Sequence, residues 1–251
     1  MKKLMTIILT CLALAVSAFA QSNQAKATDA KPAGALPSVD QVLDKFVQAI
    51  GGKAAMEKVT SRTSKGTFDM PAMGVSAPIV MYAKAPNKTF LTIDIPGFGT
   101  FQRGYNGTGA WEQNPATGTR DISGAELAQS KLAAEFYRDI KLKQLYSKME
   151  VKGVEKVGER DAYVIEATSA DGGTEKMYFD TQTGLLVRSD IEAVTEQGKF
   201  PVTSLLEDYR EVDGIKMPFT VRQNSPVNSF TIKIDEVKHN VPIDDAKFNK
   251  P

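Results

Sequence analysis

Two hydrophobic rhythms run along this chain. Near its start Val39, Val42, Leu43, Phe46, Val47 and Ile50 recur every three or four positions, which lays an apolar stripe along one side of a helix. Ser38-Val39-Asp40-Gln41 just before it is a capping box, in which the serine oxygen and the glutamine side chain satisfy each other's backbone N–H groups. Gly51-Gly52 ends the helix by supplying a left-handed residue, and 53–59 predicts a short second helical piece. From Arg62 onward the period falls to two, with turn residues about every eight to twelve positions, the pattern of an all-β sandwich or barrel. The spacing predicts strands over 62–70, 78–85, 88–95, 100–106 and 109–114, then a helical region over 123–147 in which Leu127, Leu132, Phe136, Ile140 and Leu145 recur. Ser123-Gly124-Ala125-Glu126 predicts a capping box at its start. Strands resume over 149–157, 161–168, 174–180, 184–192, 202–212, 215–224 and 229–238.

The connections are short and rich in turn formers: Asn106-Gly107, Gly172-Gly173, Asp213-Gly214. Hairpins of this kind join adjacent antiparallel strands, so the strands should form a meander. Alternation assigns faces: Leu185, Val187 and Ile191 to one side with Arg188, Asp190 and Glu192 mainly on the other, and Phe230, Ile232 and Ile234 opposite Thr231, Lys233 and Asp235.

The first twenty residues add a destination. Lys2-Lys3, an apolar run from Leu4 to Val16 and the small-x-small site Ala18-Phe19-Ala20 predict a cleavable bacterial export signal, hence a periplasmic protein. The run is shorter than the roughly 18–20 apolar residues a membrane span needs, and no later segment approaches that length. Residues 21–37, rich in Ala, Lys, Gln and Pro without apolar period, read as a flexible leader, and 38–251 as a single domain. Cys11, the one cysteine, lies inside the signal, so disulfides and thiolate metal sites are not expected in the mature chain. Loss of Lys2 and Lys3 from the 31 basic residues leaves 29 against 30 acidic ones, a balance that does not attract nucleic acid.

Candidate chemistry is sparse. His239 is the one histidine, which removes most triad, general-base and zinc schemes, since each needs a histidine with a specific partner. No nucleophile elbow, Walker loop, dinucleotide fingerprint or zinc-protease motif is present. Paired carboxylates remain the one catalytic arrangement open, and the acidic residues are scattered over strand faces and turns; Asp244-Asp245 lacks the spaced oxygen ligands of a cation loop. The expectation is a protein that is not an enzyme and holds no metal or cofactor. Met70, Met73, Met81, Met177 and Met217 lie in or beside strands and suit either gap filling in a twisted core or an adaptable apolar surface. Phe98, in Ile95-Pro96-Gly97-Phe98-Gly99, stands at a loop tip as either a tucked ring or a lip for membrane or ligand.

A signal, a helix ending Ile50-Gly51-Gly52, a strand meander, a central helical insert, and the hairpins Tyr178-Phe179-Asp180 to Gly184-Leu185-Leu186-Val187-Arg188 and Asp208-Tyr209-Arg210-Glu211-Val212-Asp213-Gly214-Ile215-Lys216-Met217-Pro218 follow in that order. This arrangement resembles the outer-membrane lipoprotein-sorting, LolA/LolB-like proteins from about Pro37 to the C-terminus. The resemblance implies a mainly β, α+β fold: a large curved antiparallel sheet forming an unclosed β-barrel, covered by helices. It also implies acyl chains on the concave face, a helical lid, and a lid-latching arginine for which Arg62, Arg103 and Arg120 are candidates.

Alternation nominates as cavity lining Phe68, Met70, Ile79, Met81, Leu91, Ile93, Phe101, Tyr163, Ile165, Met177, Phe179, Leu185, Val187, Phe219, Val221, Phe230 and Ile232, all of which would equally suit a packed core. Leu132, Phe136 and Ile140 would form the lid's underside, and Arg138, Lys141 and Lys143 would either meet anionic headgroups or face solvent. The expected role is a monomeric periplasmic carrier of lipid, lipoprotein acyl chains or another hydrophobic ligand. It would touch the membrane transiently and exchange cargo with a membrane-bound donor or acceptor protein. The alternative is a non-catalytic cell-envelope protein-interaction module with a filled core.

Overall fold

The computed structural model describes residues 35–196 and 198–251. The expected signal, 1–20, and nearly all of the leader, 21–37, lie outside the described residues. Helix α1 (Val39–Ala49) follows the Ser38 cap, where both hydrogen bonds of the capping box form, and α2 (Lys53–Met56) follows Gly51 and Gly52. The first strands are β1 (Ser61–Met70), β2 (Val75–Lys84), β3 (Lys88–Ile95), β4 (Gly99–Tyr105), β5 (Ala110–Asn114) and β6 (Gly118–Ile122). Helices α3 (Gly124–Ala134) and α4 (Arg138–Leu145) come next. Then follow β7 (Tyr146–Val157), β8 (Arg160–Ser169), β9 (Thr174–Asp180), β10 (Leu186–Thr195), β11 (Gly198–Val212), β12 (Ile215–Asn224) and β13 (Ser229–His239).

All thirteen strands join one antiparallel sheet in the order β6-β5-β4-β3-β2-β1-β13-β12-β11-β10-β9-β8-β7. Each meander grows outward from the centre, where β1 pairs with β13. The edges β6 and β7 do not pair, so the barrel stays open. The chain passes from β6 to β7 through α3 and α4, and a connection from one edge to the other must cross the sheet's face. Helices over the open side are therefore a consequence of strand order.

Two apolar clusters fill the ends of the covered face. Under α1, Val42, Leu43 and Phe46 pack with Ile165, Met177, Phe179 and Leu186, with the Phe46 and Phe179 rings edge to face at 5.2 Å. On the other arm Phe68, Ala77, Ile79 and Ile93 form the second cluster. The opposite face of β3 and β5 is sealed by the C-terminal turn, where Phe90 and Trp111 pack with Ile243 and Phe248. Gly104 is required there: a Cβ would stand 2.6 Å from the Trp111 indole.

Four expectations are corrected. The single helical region over 123–147 is two helices, because Glu135 is extended (φ −59, ψ 113) and the Phe136 N–H bonds the Pro86 carbonyl instead of the preceding turn. The Ser123 capping box does not form, since Glu126 is taken by Arg103 and Arg120. Strand β6 was not expected at all. Finally, a β-bulge between Leu186 and Arg188 shifts the alternation, so Leu186 and Ile191 face the helices while Val187 joins Ala162, Val164 and Tyr178 in the outer cluster.

Candidate functional site

Between the covered face and the helices lies a space of about 680 Å³. Its wall draws on an unbroken run of the sheet from β4 to β10: Arg103 and Tyr105, Leu91, Met81, Arg62 and Ser64, Ile232 and Ile234, Val221 and Met217, Leu206 and Tyr209, then Leu186 and Ile191. Phe46 and Ile50 of α1, Met56 of α2, Gln129, Ser130 and Ala133 of α3 and Asp139 of α4 close it.

Polar contacts fix the covering helices. Arg103 on β4 reaches Glu112 at 3.2 Å, and Glu126 (3.2 Å) and Ser130 (3.1 Å) on α3, while Arg120 on β6 grips both oxygens of Glu126 at 2.9 Å. Burial works to raise the Glu126 pKa, but these guanidinium contacts outweigh it and hold the carboxyl below its ordinary value. Helix α4 is tied through Arg138, which donates to Glu175 on β9 at 2.6 Å and to the Tyr146 hydroxyl at 2.8 Å. Tyr146 also donates to Glu175, and Ser189 donates to the other carboxylate oxygen at 2.7 Å. Burial, with Glu175 alongside, pushes the Tyr146 phenol well above its usual range.

Of the nominated lining, Met81, Leu91, Val221 and Ile232 stand on the wall. Phe68, Ile79 and Ile93, with Met70, Phe101 and Phe230, belong to the cluster of the β1–β4 arm. Ile165, Met177 and Phe179, with Tyr163 and Leu185, lie in the cluster that α1 covers. Phe219 is buried with the Arg210 guanidinium 4.7 Å from its ring centre, and Val187 is on the outer face.

The lid differs from expectation too. Leu132 packs on the α1 cluster, Phe136 stacks edge-on with Tyr137, and Ile140 lines a separate groove with Tyr137, Lys53 and Glu57, so Ala133 and Asp139 form the roof instead. Of the basic residues expected at headgroups or in solvent, Arg138 is turned into the fold against Glu175, whereas Lys141 pairs with Glu135 at the helix surface and Lys143 stays in solvent beside an equally exposed Asp40. Sequence reasoning missed Arg62 and Ser64 as wall residues, although they share the parity of Phe68 along β1; it passed over them because it sought only apolar side chains. Phe98 is exposed at its loop tip. Asp244 caps the final turn and Asp245 bridges Lys84 and Lys88; among the described residues no group of acidic, histidine or cysteine side chains could hold a metal.

The His239 side chain is buried, 3% exposed, and its Nδ1 lies 3.0 Å from the Asp213 carboxylate. Burial and the Arg62 charge lower its pKa, and Asp213 opposes them only in part. A depressed imidazole favours the fold in its neutral form, so this stability is complete above the unfolded value of about 6.5 and fades as pH drops through the folded one. The urea midpoint of the wild type should therefore fall more between pH 7.5 and pH 5 than that of His239→Gln. Parallel falls would remove His239 as the cause.

The geometry defines an open antiparallel half-barrel with helices across its mouth. Solved structures place this more closely, as a LolA-like fold. A DUF1329 family protein from Desulfovibrio piger superposes with a TM-score of 0.56 at 16% identity, over 84% of this chain and 97% of its own. The LolA superfamily protein NE2245 from Nitrosomonas europaea gives 0.55 at 13% identity, over 86% and 99%. A putative outer membrane lipoprotein-sorting protein domain from Vibrio parahaemolyticus gives 0.54 at 11% identity, over 76% and 89%. No family model and no curated protein matches the sequence. Among the described residues no helix is long and apolar enough to cross a membrane.

Proposed function

We propose that this protein is a non-enzymatic periplasmic carrier that holds a lipid, a lipoprotein acyl chain or another hydrophobic ligand between the sheet and its helices. The observation that supports this most is the space of about 680 Å³ left between sheet and helices. Ligand pockets generally run from about 300 to 1,000 Å³. Met81, Leu91, Ile191, Leu206, Val221 and Ile232 give that space aliphatic walls. Each methylene withdrawn from water contributes about 0.8 kcal/mol, so a chain of about sixteen carbons gains on the order of 13 kcal/mol by entering. Uptake and release need the helices to part from the sheet, and contact with a membrane or a donor or acceptor protein would select that open state. The fold shared with a lipoprotein-sorting domain supports the same reading.

The test is delipidation of the gently purified protein, mass spectrometry of the extract, and titration of the stripped protein with an environment-sensitive acyl probe. Extracted lipid and saturable probe binding are expected. Leu91→Trp, which places an indole in the space, should weaken probe binding at least tenfold with little change in melting temperature. An empty extract together with no probe uptake would leave a filled interaction module as the better description.

A further inference from the structure

We propose that the cavity selects single-chain amphiphiles with an acidic head, a carboxylate or a phosphate, which docks on Arg62. This deepens the carrier reading above and rests on it. Arg62 stands on β1 at the centre of the sheet, opposite Ala83 of β2 and His239 of β13. It belongs to the cavity wall, yet its guanidinium has no hydrogen bond or ion pair with any described residue. The other arginine of the wall, Arg103, is spent on Glu112, Glu126 and Ser130.

The Arg62 side chain is half-buried and lines the cavity with no protein group taking its N–H donors, so a bound acidic head could replace the water that reaches them. Asp139 of α4 is the acid of this wall, and it too lacks a hydrogen bond; its charge offsets only part of the burial that lowers the Arg62 pKa. Ser64, next along the same face of β1, is 4% exposed and its hydroxyl has no protein partner, which supplies a neutral donor beside the charge. Beyond this polar end the wall turns aliphatic at Met81, Leu91 and Ile232. An acid head in the guanidinium fork, with its tail along those residues, satisfies both ends at once.

The experiment displaces a neutral acyl probe from the stripped full-length protein with palmitate, with a lysophosphatidate of equal chain length, with hexadecanol and with inorganic phosphate. At least one acid should compete ten times better than hexadecanol, and whichever acid leads identifies carboxylate or phosphate as the preferred head. Inorganic phosphate should not compete. Arg62→Met should bring acid and alcohol within about twofold of one another. Arg62→Lys should keep part of the preference, and it provides a charge-retaining comparison should the methionine variant fold poorly. Equal competition by acid and alcohol in the wild type, or a preference that survives Arg62→Met, would overturn the assignment to Arg62 and leave the carrier intact. Failure of all three amphiphiles, with no probe bound at the outset, would instead sink the carrier reading and this one with it.

Discussion

Glu175→Ala should lower the free energy of unfolding by about 3–5 kcal/mol, because it strands a buried charge rather than merely deleting a contact. The Glu175 side chain is 10% exposed and that of Arg138 22%, and the carboxylate takes hydrogen bonds from Arg138, Tyr146 and Ser189. Removing it leaves the Arg138 guanidinium with the Tyr146 hydroxyl as its one remaining acceptor and no negative charge to balance it. The paired change Glu175→Leu with Arg138→Met removes both charges and should recover most of the loss, since an ion pair replaced by apolar groups of similar volume is often neutral. Urea unfolding of the wild type, Glu175→Leu, Arg138→Met and the pair forms the cycle that isolates the coupling. A single-variant loss under about 1 kcal/mol would mean that water already reaches the site. The same variant should loosen α4, and with it Asp139, the residue next to Arg138 that closes the cavity from above.

What the sequence revealed and what it withheld divide along physical lines. Hairpin turns are local, so the β1–β5 and β7–β13 meanders could be read from turn chemistry and alternation. The pairing of β1 with β13 joins residues such as Arg62 and His239, far apart in the chain, and no local signal announces it. Strand β6 hid because Gly118–Ile122 carries one buried apolar residue, Ile122, and takes its place through pairing with β5. The pattern Ser-Gly-Ala-Glu at 123–126 misled for a related reason: a glutamate in the first turn can serve the cap or a distant arginine, and here tertiary ion pairs win it. At the cavity, alternation identifies a face of a strand but not which helix will cover it. Met81 and Leu91 meet open space while Met177 and Phe179, of the same pattern, meet Phe46 of α1. Arg62 was legible as a candidate latch only; that it stands without a partner depends on where Glu126 and Glu175 send their carboxylates.

The second large effect is expected at the chain's far end. Phe248 is completely buried although it lies three residues from the C-terminus, and Phe248→Ala should cost about 3–5 kcal/mol, the sum of lost transfer energy and the cavity left behind. Its ring packs with Phe90, Trp111 and Ile243, and its carbonyl accepts the Trp111 indole N–H at 2.9 Å. The turn that carries it is pinned from the other side by Asp245, whose carboxyl Lys84 and Lys88 hold down at about 2. Loss of the ring should therefore release the segment from the sheet and expose an apolar strip over β2, β3 and β5. Trp111 is the sole tryptophan and is 2% exposed, so its emission reports this seal directly. In Phe248→Ala the emission should move to the red before global unfolding, at urea concentrations where circular dichroism is still native. Phe248→Leu, which keeps most of the volume, should lose less than about 1.5 kcal/mol and hold the blue emission. If the alanine variant unfolds with wild-type midpoint and unshifted fluorescence, the C-terminal turn is a passenger on the sheet rather than part of its core.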